Sequence, residues 1–596
     1  MLTSSAPVPV VAGPLTLHLL GVTDPFTPRI TVRELAAQIW LITLELTTAS
    51  AAEPPPCGLR WSLPARDIHA TWWGDQRGDR FFTGHAAGDR SEARACSAAP
   101  VLVLHSDAGI NGLTIGGSDP LHRSTLSAGI HEESATFTCA AKWFTSSLPA
   151  DTRFVVSLRL DLRPVPMAQA LRELAQWWES LPDLTPLRVP EAGRLPMYST
   201  WYSFHQSVEP AAVEAECALA KELGCAAVIV DDGWQTRDAG RGYAYCGDWE
   251  PERTGDMAAH VRRIHALGLK FLLWYSVPFI GMQSRSYARF RGKFLREDEQ
   301  LKTAVLDPRY PEVRDFLIGL YERHLREWDL DGFKLDFVDS FSLPDGRPAT
   351  AEGGRDIADV DEAAVRLLRD VVARLRAIKP DVLIEFRQSY IGPVMRTVGN
   401  LFRAGDCPND AQCNRRRTLD IRLICGSTAC HADMLMWHIS EPVESAALQV
   451  LNVLFSVPQI SVMLARLPSD HQAMLRFWLG WWRTHRATLL DGELRVRRPD
   501  LGYTQAEART AGERIVCCYS AEPVTVAAGD PLLLQVVNAH REAGVVIDLP
   551  PGRTWSLTIH DTQGIHLAQF GRRLAAGLHR LPIPAAGLGS LGPADG

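Results

Sequence analysis

Long basic runs are missing from this 596-residue chain, whose formal net charge is −7. Without a surface of clustered Lys and Arg to track phosphates, nucleic acid is not expected as a partner. Long apolar runs are missing too. The most apolar window, LQVLNVLFSVPQISVMLA at 448–465, is broken by two Gln, an Asn and a Pro and reads as a helix followed by a buried strand, so no membrane association is expected. The opening MLTSSAPVPVVAGPLTLHLL has no Lys or Arg ahead of its apolar stretch, unlike a secretory signal. Paired cysteine spacings are absent: the 12 Cys are scattered, which suits a reducing compartment. A cytoplasmic location is the expectation. Neither a phosphate-cradling Gly loop nor a GxSxG elbow is present. Cys425, Cys430, His431 and His438 fit no common zinc spacing, and small Cys in a buried strand account for them better. No metal and no cofactor are expected.

What is present is ordinary globular composition, 46% hydrophobic and 22% charged, over a length that predicts two or three domains. The texture divides the chain in three. Residues 1–185 alternate short runs such as AQIWLITLELTTA, SATFTCAAKWF and RFVVSLRLDL with Gly, Pro, Ser and Asp turns, which predicts an antiparallel β-sandwich ending in a helix, PMAQALRELAQWWESL. Residues 186–490 interleave short apolar strands with amphipathic helical stretches, the signature of β/α units. Residues 491–596 return to strand and turn texture and predict a small C-terminal antiparallel β domain. The middle zone offers eight strand candidates: MYSTWYSF, AAVIVDD, LKFLLWYS, GFKLDF, DVLIEFR, NLFRAGD, STACHADML and LFSVPQISV. Eight such units in this length predict a (β/α)8 barrel, whose active sites lie at the carboxyl ends of the strands. Polar residues collect at those ends: Asp231 and Asp232, Trp274 and Tyr275, Asp336, Arg387, and Arg403 with Asp406.

GFKLDF at 332–337 is the most informative run. Side chains alternate along a strand, so Lys334 and Asp336 project from one face. A carboxylate on so apolar a strand is costly to bury unless it is paired, and a Lys two residues away favours its charged form. That is the environment of a carboxylate nucleophile, although a structural ion pair has the same pattern. In CAAVIVDDGWQ, Asp231 and Asp232 point to opposite faces unless the Gly233 turn brings both to a ligand. Carboxylates beside the rings of Trp234 and Trp274 suit a sugar, with hydroxyls donating to oxygen and a ring face on indole; the alternative is a cap and a turn. If Asp336 attacks a sugar carbon, a second carboxyl must protonate the leaving oxygen. NLFRAGDCPND supplies Asp406, with Arg403 three residues before it, whereas Asp410 reads as a helix cap. Asp433, Trp437 and His438 in CHADMLMWH read as support for the site rim.

VDDGW, LLWY, GFKLDF and the Arg403–Asp406 spacing together resemble the α-galactosidases of glycoside hydrolase family 36, within the clan that includes families 27 and 31. The resemblance covers the middle zone, including GYAYCGDWE and LDPRYPEVRDFL; outside it only the three-part architecture matches. It implies a retaining enzyme that cleaves terminal α-galactosides by double displacement. Asp336 is then the nucleophile and Asp406 the acid/base, with Asp231, Asp232, Trp274, Lys334 and Arg403 in the glycone subsite and the tandem Asp on the 4- and 6-hydroxyls. The implied partner is an oligosaccharide or glycoside. The chain departs from the pattern at Leu335, where many members have Trp, and at Gly405, where a Ser precedes the acid/base. EFRQSYIGP replaces the Cys-Ser-Ser-Gly-Gly run that lines the sugar 2-position, so Arg387 and Gln388 stand there. Alternatives therefore include another glycone, such as N-acetylgalactosamine or an anionic sugar, a raffinose-synthase-like transglycosylase, and a non-catalytic carbohydrate-binding barrel. A homo-oligomer stays open, since the N-terminal zone is shorter than in the tetrameric members.

Overall fold

The computed structural model of the chain describes residues 9–75, 80, 89–343, 349–551 and 554–593. Alternation builds the N-terminal part. The strand Ile39–Ala52 turns Ile42, Leu44 and Leu46 inward, where they meet Leu59, Trp61, Phe137 and Cys139 of a facing sheet in one apolar core. Two six-stranded antiparallel sheets form this sandwich. The helix Met167–Glu179 follows, burying Leu171, Leu174 and Trp178 on one side.

All eight strand candidates of the middle zone appear, in order, as parallel strands: β1 (Met197–Ser199), β2 (Ala227–Val230), β3 (Lys270–Ser276), β4 (Gly332–Asp336), β5 (Leu383–Arg387), β6 (Leu401–Arg403), β7 (Ala429–His431) and β8 (Gln459–Ile460). β8 pairs with β1, and parallel bridges at His431–Val457 and Leu435–Ile460 bring the ring nearly to closure. Between β3 and β4 the chain inserts a three-stranded antiparallel sheet, Phe279–Gly281, Phe294–Asp298 and Thr303–Leu306, which the sequence pattern did not predict. Its strands are too short and irregular for alternation to register.

The barrel interior changes character along its axis. At the amino ends of the strands Met197, Ala227, Ile229, Leu272, Leu383, Leu401 and Ala429 form an apolar floor. Residues two positions on share the same face, so Lys334, Glu385, Arg403 and His431 make a buried polar layer above it, and Asp336 and Arg387 lie one step further. Charge is thereby concentrated at the carboxyl end, where a barrel carries its site. Gly332 opens β4 because a Cβ there would lie 2.3 Å from the Leu383 carbonyl oxygen.

The C-terminal part holds a seven-stranded and a three-stranded sheet around Val516, Val536, Ile547 and Leu557. It is mainly antiparallel, with two parallel pairs, Glu513–Cys518 beside Leu533–Asn538 and Val524–Thr525 beside Val545–Leu549. Among the described residues no helix is long and apolar enough to cross a membrane.

One buried carboxylate joins all three parts. Asp420, on the barrel helix Ala411–Ile424, accepts from Trp72 Nε1 at 2.8 Å and from the Arg80 guanidinium, both of the N-terminal part, and from the Tyr503 hydroxyl of the C-terminal part. Burial pushes its pKa up, and Arg80 is the first influence opposing that. Removing one partner of a buried pair leaves the other charge uncompensated, which costs about 3–5 kcal/mol. Asp420→Leu is therefore expected to lower the unfolding free energy by about 3–5 kcal/mol, seen as a lower denaturant midpoint, and to open the domain junctions to limited proteolysis; an unchanged midpoint would show that the junction does not depend on the pair.

Candidate active site

β4 ends in Asp336, a residue only 5% exposed. Its Oδ1 accepts from Arg387 Nε at 2.7 Å, from the Tyr390 hydroxyl and from the Phe337 amide at 2.8 Å, while Oδ2 accepts from Trp274 Nε1 at 3.2 Å. Burial alone would raise its pKa; Arg387 first, then Lys334 and the Tyr390 hydrogen bond, outweigh it and hold the carboxyl well below the usual range. Asp336 is thus a buried carboxylate held in its ionised form. The oxygen with the fewest donors, Oδ2, is the freer to act as a nucleophile.

The ion pair expected within β4 is redirected. Lys334 places Nζ 2.6 Å from Asp231 Oδ2, across the barrel mouth at the end of β2, and reaches Asp336 only through its field. Asp336 takes its direct cation from β5 instead, because Arg387 is long enough to fold back over the Phe337 and Tyr390 rings.

Gly233, at a φ of 113° and with the Gln206 backbone 2.5 Å from where a Cβ would sit, makes the turn that keeps both tandem carboxylates buried. Asp231 faces Lys334, and Asp232 is clamped by Gln206 Nε2 and Gln235 Nε2, each at 2.7 Å. Burial, only partly offset by these amides, pushes Asp232 up to about 6.

The two Trp separate. Trp274 points inward, in register with Lys334. Trp234 is fully buried behind the strands, stacked on Trp249 and packed edge-on to Tyr275, with Nε1 donating to the Trp274 carbonyl at 2.9 Å. Its face offers nothing to a ligand, so the sugar-platform role expected for it does not follow from its position. Tyr243, from the GYAYCGDWE run, stacks instead on Trp274 with centroids 6.2 Å apart.

At the end of β6, Arg403 is wholly buried. It donates from Nη1 to Asp433 Oδ1 and from Nη2 to Asp406 Oδ1 at 2.9 Å, and lies 3.6 Å from Glu385. Asp406 has a half-exposed side chain, 50%, at the mouth. Burial raises its pKa, but Arg403 first, then Lys334 and Arg387, hold it below its ordinary value, with Asp336 opposing them. Asp433 supports this corner: its Oδ2 accepts from the Tyr202 hydroxyl at 2.9 Å and from the Cys407 amide at 2.7 Å. Asp410 caps the helix Ala411–Ile424 by accepting from the Cys413 amide. Gln388 turns inward, its Oε1 accepting from the Gly405 amide. Of the remaining Cys and His considered for zinc, His431 donates from Nε2 to the Gly193 carbonyl at 2.8 Å and the Cys430 thiol donates to the Thr418 carbonyl.

The mouth therefore gathers Asp231, Asp232, Trp274, Lys334, Asp336, Arg387, Arg403 and Asp406. Gln206, Gln235 and Tyr390 belong with them and were not singled out from the sequence. They sit in loops and titrate weakly or not at all, so neither periodicity nor charge marks them.

No model of a protein family matches the chain, and no curated protein does. Solved structures do. A family 36 α-galactosidase from Geobacillus stearothermophilus, in complex with 1-deoxygalactonojirimycin, superposes with a TM-score of 0.67 at 14% identity over 97% of this chain and 83% of that one. An α-galactosidase from Lactobacillus brevis gives 0.63 at 12% identity over 97% and 85%. One from Thermus thermophilus, in complex with stachyose, gives 0.54 at 17% identity over 76% and 99%.

Asp232 provides a measurable signature of this geometry. The folded chain keeps its proton up to about pH 6, whereas a free Asp releases it near 3.9, so the folded state binds more protons in between. Stability from this group falls as pH rises through that window. Asp232→Asn is expected to remove a decline of about 2–3 kcal/mol between about pH 4 and about pH 6.5, read from denaturant midpoints. A parallel pH dependence in both proteins would contradict the buried, proton-retaining Asp232.

At this level of identity the solved structures speak to the fold alone, and the chain has the three-part fold of the family 36 α-galactosidases.

Proposed function

We propose that the protein is a retaining glycoside hydrolase acting on terminal α-galactosides. The observation that carries this reading is the pair Asp336 and Asp406: one carboxylate buried and held ionised at the end of β4, the other half-exposed at the end of β6. Asp336 Oδ2 attacks the anomeric carbon. Asp406 protonates the departing oxygen through Oδ2, since Oδ1 is engaged by Arg403. The resulting glycosyl-enzyme has inverted configuration, and water activated by Asp406 then restores the α configuration.

Field effects suit the two steps. While Asp336 is ionised its charge raises the pKa of Asp406, opposing Arg403, and so favours the acid form needed first. Once Asp336 is consumed as an ester that charge is gone, and Arg403 favours the base form needed second. Asp231, Asp232 and Lys334 provide acceptors and a donor for glycone hydroxyls, and Trp274 with Tyr243 provides an aromatic wall. The galactose preference is drawn from the resemblance of these residues to the family and from the sugar-bound state of the structural neighbours.

Hydrolysis of 4-nitrophenyl α-glycosides (galactoside, N-acetylgalactosaminide, glucoside and xyloside) tests the reading. The galactoside is expected to be cleaved by the wild type, and Asp336→Asn is expected to lose turnover while still binding substrate. Asp406→Ala is expected to lose about 10²–10⁴-fold on substrates with poor leaving groups, much less on nitrophenyl glycosides, and azide should restore turnover with an α-glycosyl azide as product. Silence of the folded protein across the panel would overturn the glycosidase reading; turnover by Asp336→Asn would overturn the nucleophile.

A further inference from the structure

Arg415 is a buried cation without an anion. It stands in the second turn of the helix Ala411–Ile424 and is 7% exposed. Its guanidinium is held by neutral groups: Nε donates to the Gly502 carbonyl at 2.8 Å, Nη1 donates to Asn452 Oδ1 at 2.8 Å, and the Tyr519 ring lies 4.3 Å away. Among the described residues no carboxylate forms an ion pair with it, and no acceptor meets Nη2. Every other buried arginine among the described residues pairs with a carboxylate, from Arg80 with Asp420 to Arg514 with Glu507. Burial pulls the Arg415 pKa down; Tyr519 and Cys517, the first to oppose this, are themselves kept neutral by burial, and Asp410 comes last. A charge taken out of water without a partner is costly, so this one is suited to an anion that arrives from outside.

The space for such an anion is present. Arg415 lines a cavity of about 620 Å³ between the barrel and the C-terminal part, the size of a small-molecule site. Asp410 is its one lining carboxylate, and that side chain already accepts from the Cys413 amide. Ala411 and Gln412 also line it, so the cavity meets the amino end of the helix, which favours negative charge. From the C-terminal part come the exposed Arg541 and His540. His540 Nδ1 accepts from the Glu542 amide at 3.2 Å, which puts the ring proton on Nε2 and makes that nitrogen a donor. Asn409, Gln449 and Ser445 add amide and hydroxyl groups to the wall. None of the residues gathered at the barrel mouth lines this cavity, although the chain runs from Asp406 at the mouth to Asn409 in its wall.

We propose that this cavity is a second ligand site, which binds a small oxyanion carried on a hydroxylated metabolite. Arg415 anchors the phosphate or carboxylate through Nη2, Arg541 and His540 complete the cationic side, and the amides and Ser445 take the hydroxyls. The site stands apart from the catalytic reading and does not depend on it.

Titration calorimetry of the full chain at low ionic strength tests the site, with inorganic phosphate, galactose 6-phosphate and galacturonate as probes and galactose as the uncharged control. Galactose 6-phosphate or galacturonate is expected to bind one per chain, and the tighter of the two tells a phosphate from a carboxylate ligand. Arg415→Gln is expected to weaken that binding about tenfold or more, the loss of a charge-assisted hydrogen bond. Arg541→Ala, which removes an exposed side chain and keeps the test valid if Arg415→Gln does not fold, is expected to weaken it about two- to fivefold. Both variants should leave any binding of galactose unchanged. No binding of the three anions at millimolar concentration, or binding that both variants leave intact, overturns the site. Inorganic phosphate binding as tightly as galactose 6-phosphate overturns the hydroxylated body of the ligand. Failure of the glycosidase reading is seen separately, on the nitrophenyl glycosides, because calorimetry reports the anion without turnover.

Discussion

A carboxylate held ionised inside a barrel mouth is the constraint to which the rest of this structure answers. Asp336 is almost wholly enclosed, and a buried charge without partners would cost far more than the protein's margin of stability. Four donors from four separate places meet it: Trp274 from β3, the amide of Phe337, Arg387 from β5 and Tyr390 from the loop beyond. The barrel register makes this convergence possible. Ser276 is level with Asp336, and Arg387 with Arg403. Two Arg directly opposite on neighbouring strands would repel. They are separated because each leans to its own flank, Arg387 toward Asp336 and Arg403 toward Asp406 and Asp433.

The same arrangement explains why the two carboxylates differ. Asp336 is surrounded by donors on one oxygen and is almost enclosed. Asp406 is half in solvent, tied through one oxygen, and tuned by the charges of Arg403, Lys334, Arg387 and Asp336. The proposed nucleophile and acid/base roles rest on that asymmetry of environment and not on residue type, since both are Asp. The apolar floor below keeps the charged layer at the open end of the barrel.

The helix Ala411–Ile424 couples the site to the whole molecule. Its first turn is capped by Asp410 at the end of the Asp406 loop, and further along it carries Asp420, where the three parts of the chain meet.

By itself the sequence determined the barrel and most of its mouth. Eight short apolar runs separated by amphipathic stretches leave few other ways to bury a parallel sheet, and the period of two put Lys334 and Asp336 on one face and Asp231 at a strand end. Those features are local, so they are written in neighbouring residues. What only the tertiary structure decided is which charge meets which. Lys334 pairs with Asp231, 103 positions away, and Asp336 with Arg387, 51 positions away. Pattern reading favoured the neighbour in sequence because strand curvature and side-chain reach across the mouth are not encoded in spacing. Trp234, which sequence placed beside the sugar, lies behind the strands, since one step past Gly233 reverses the face a side chain takes. Gln206, Gln235 and Tyr390 came from loops whose paths are set by packing against the barrel, and packing is a property of the folded chain.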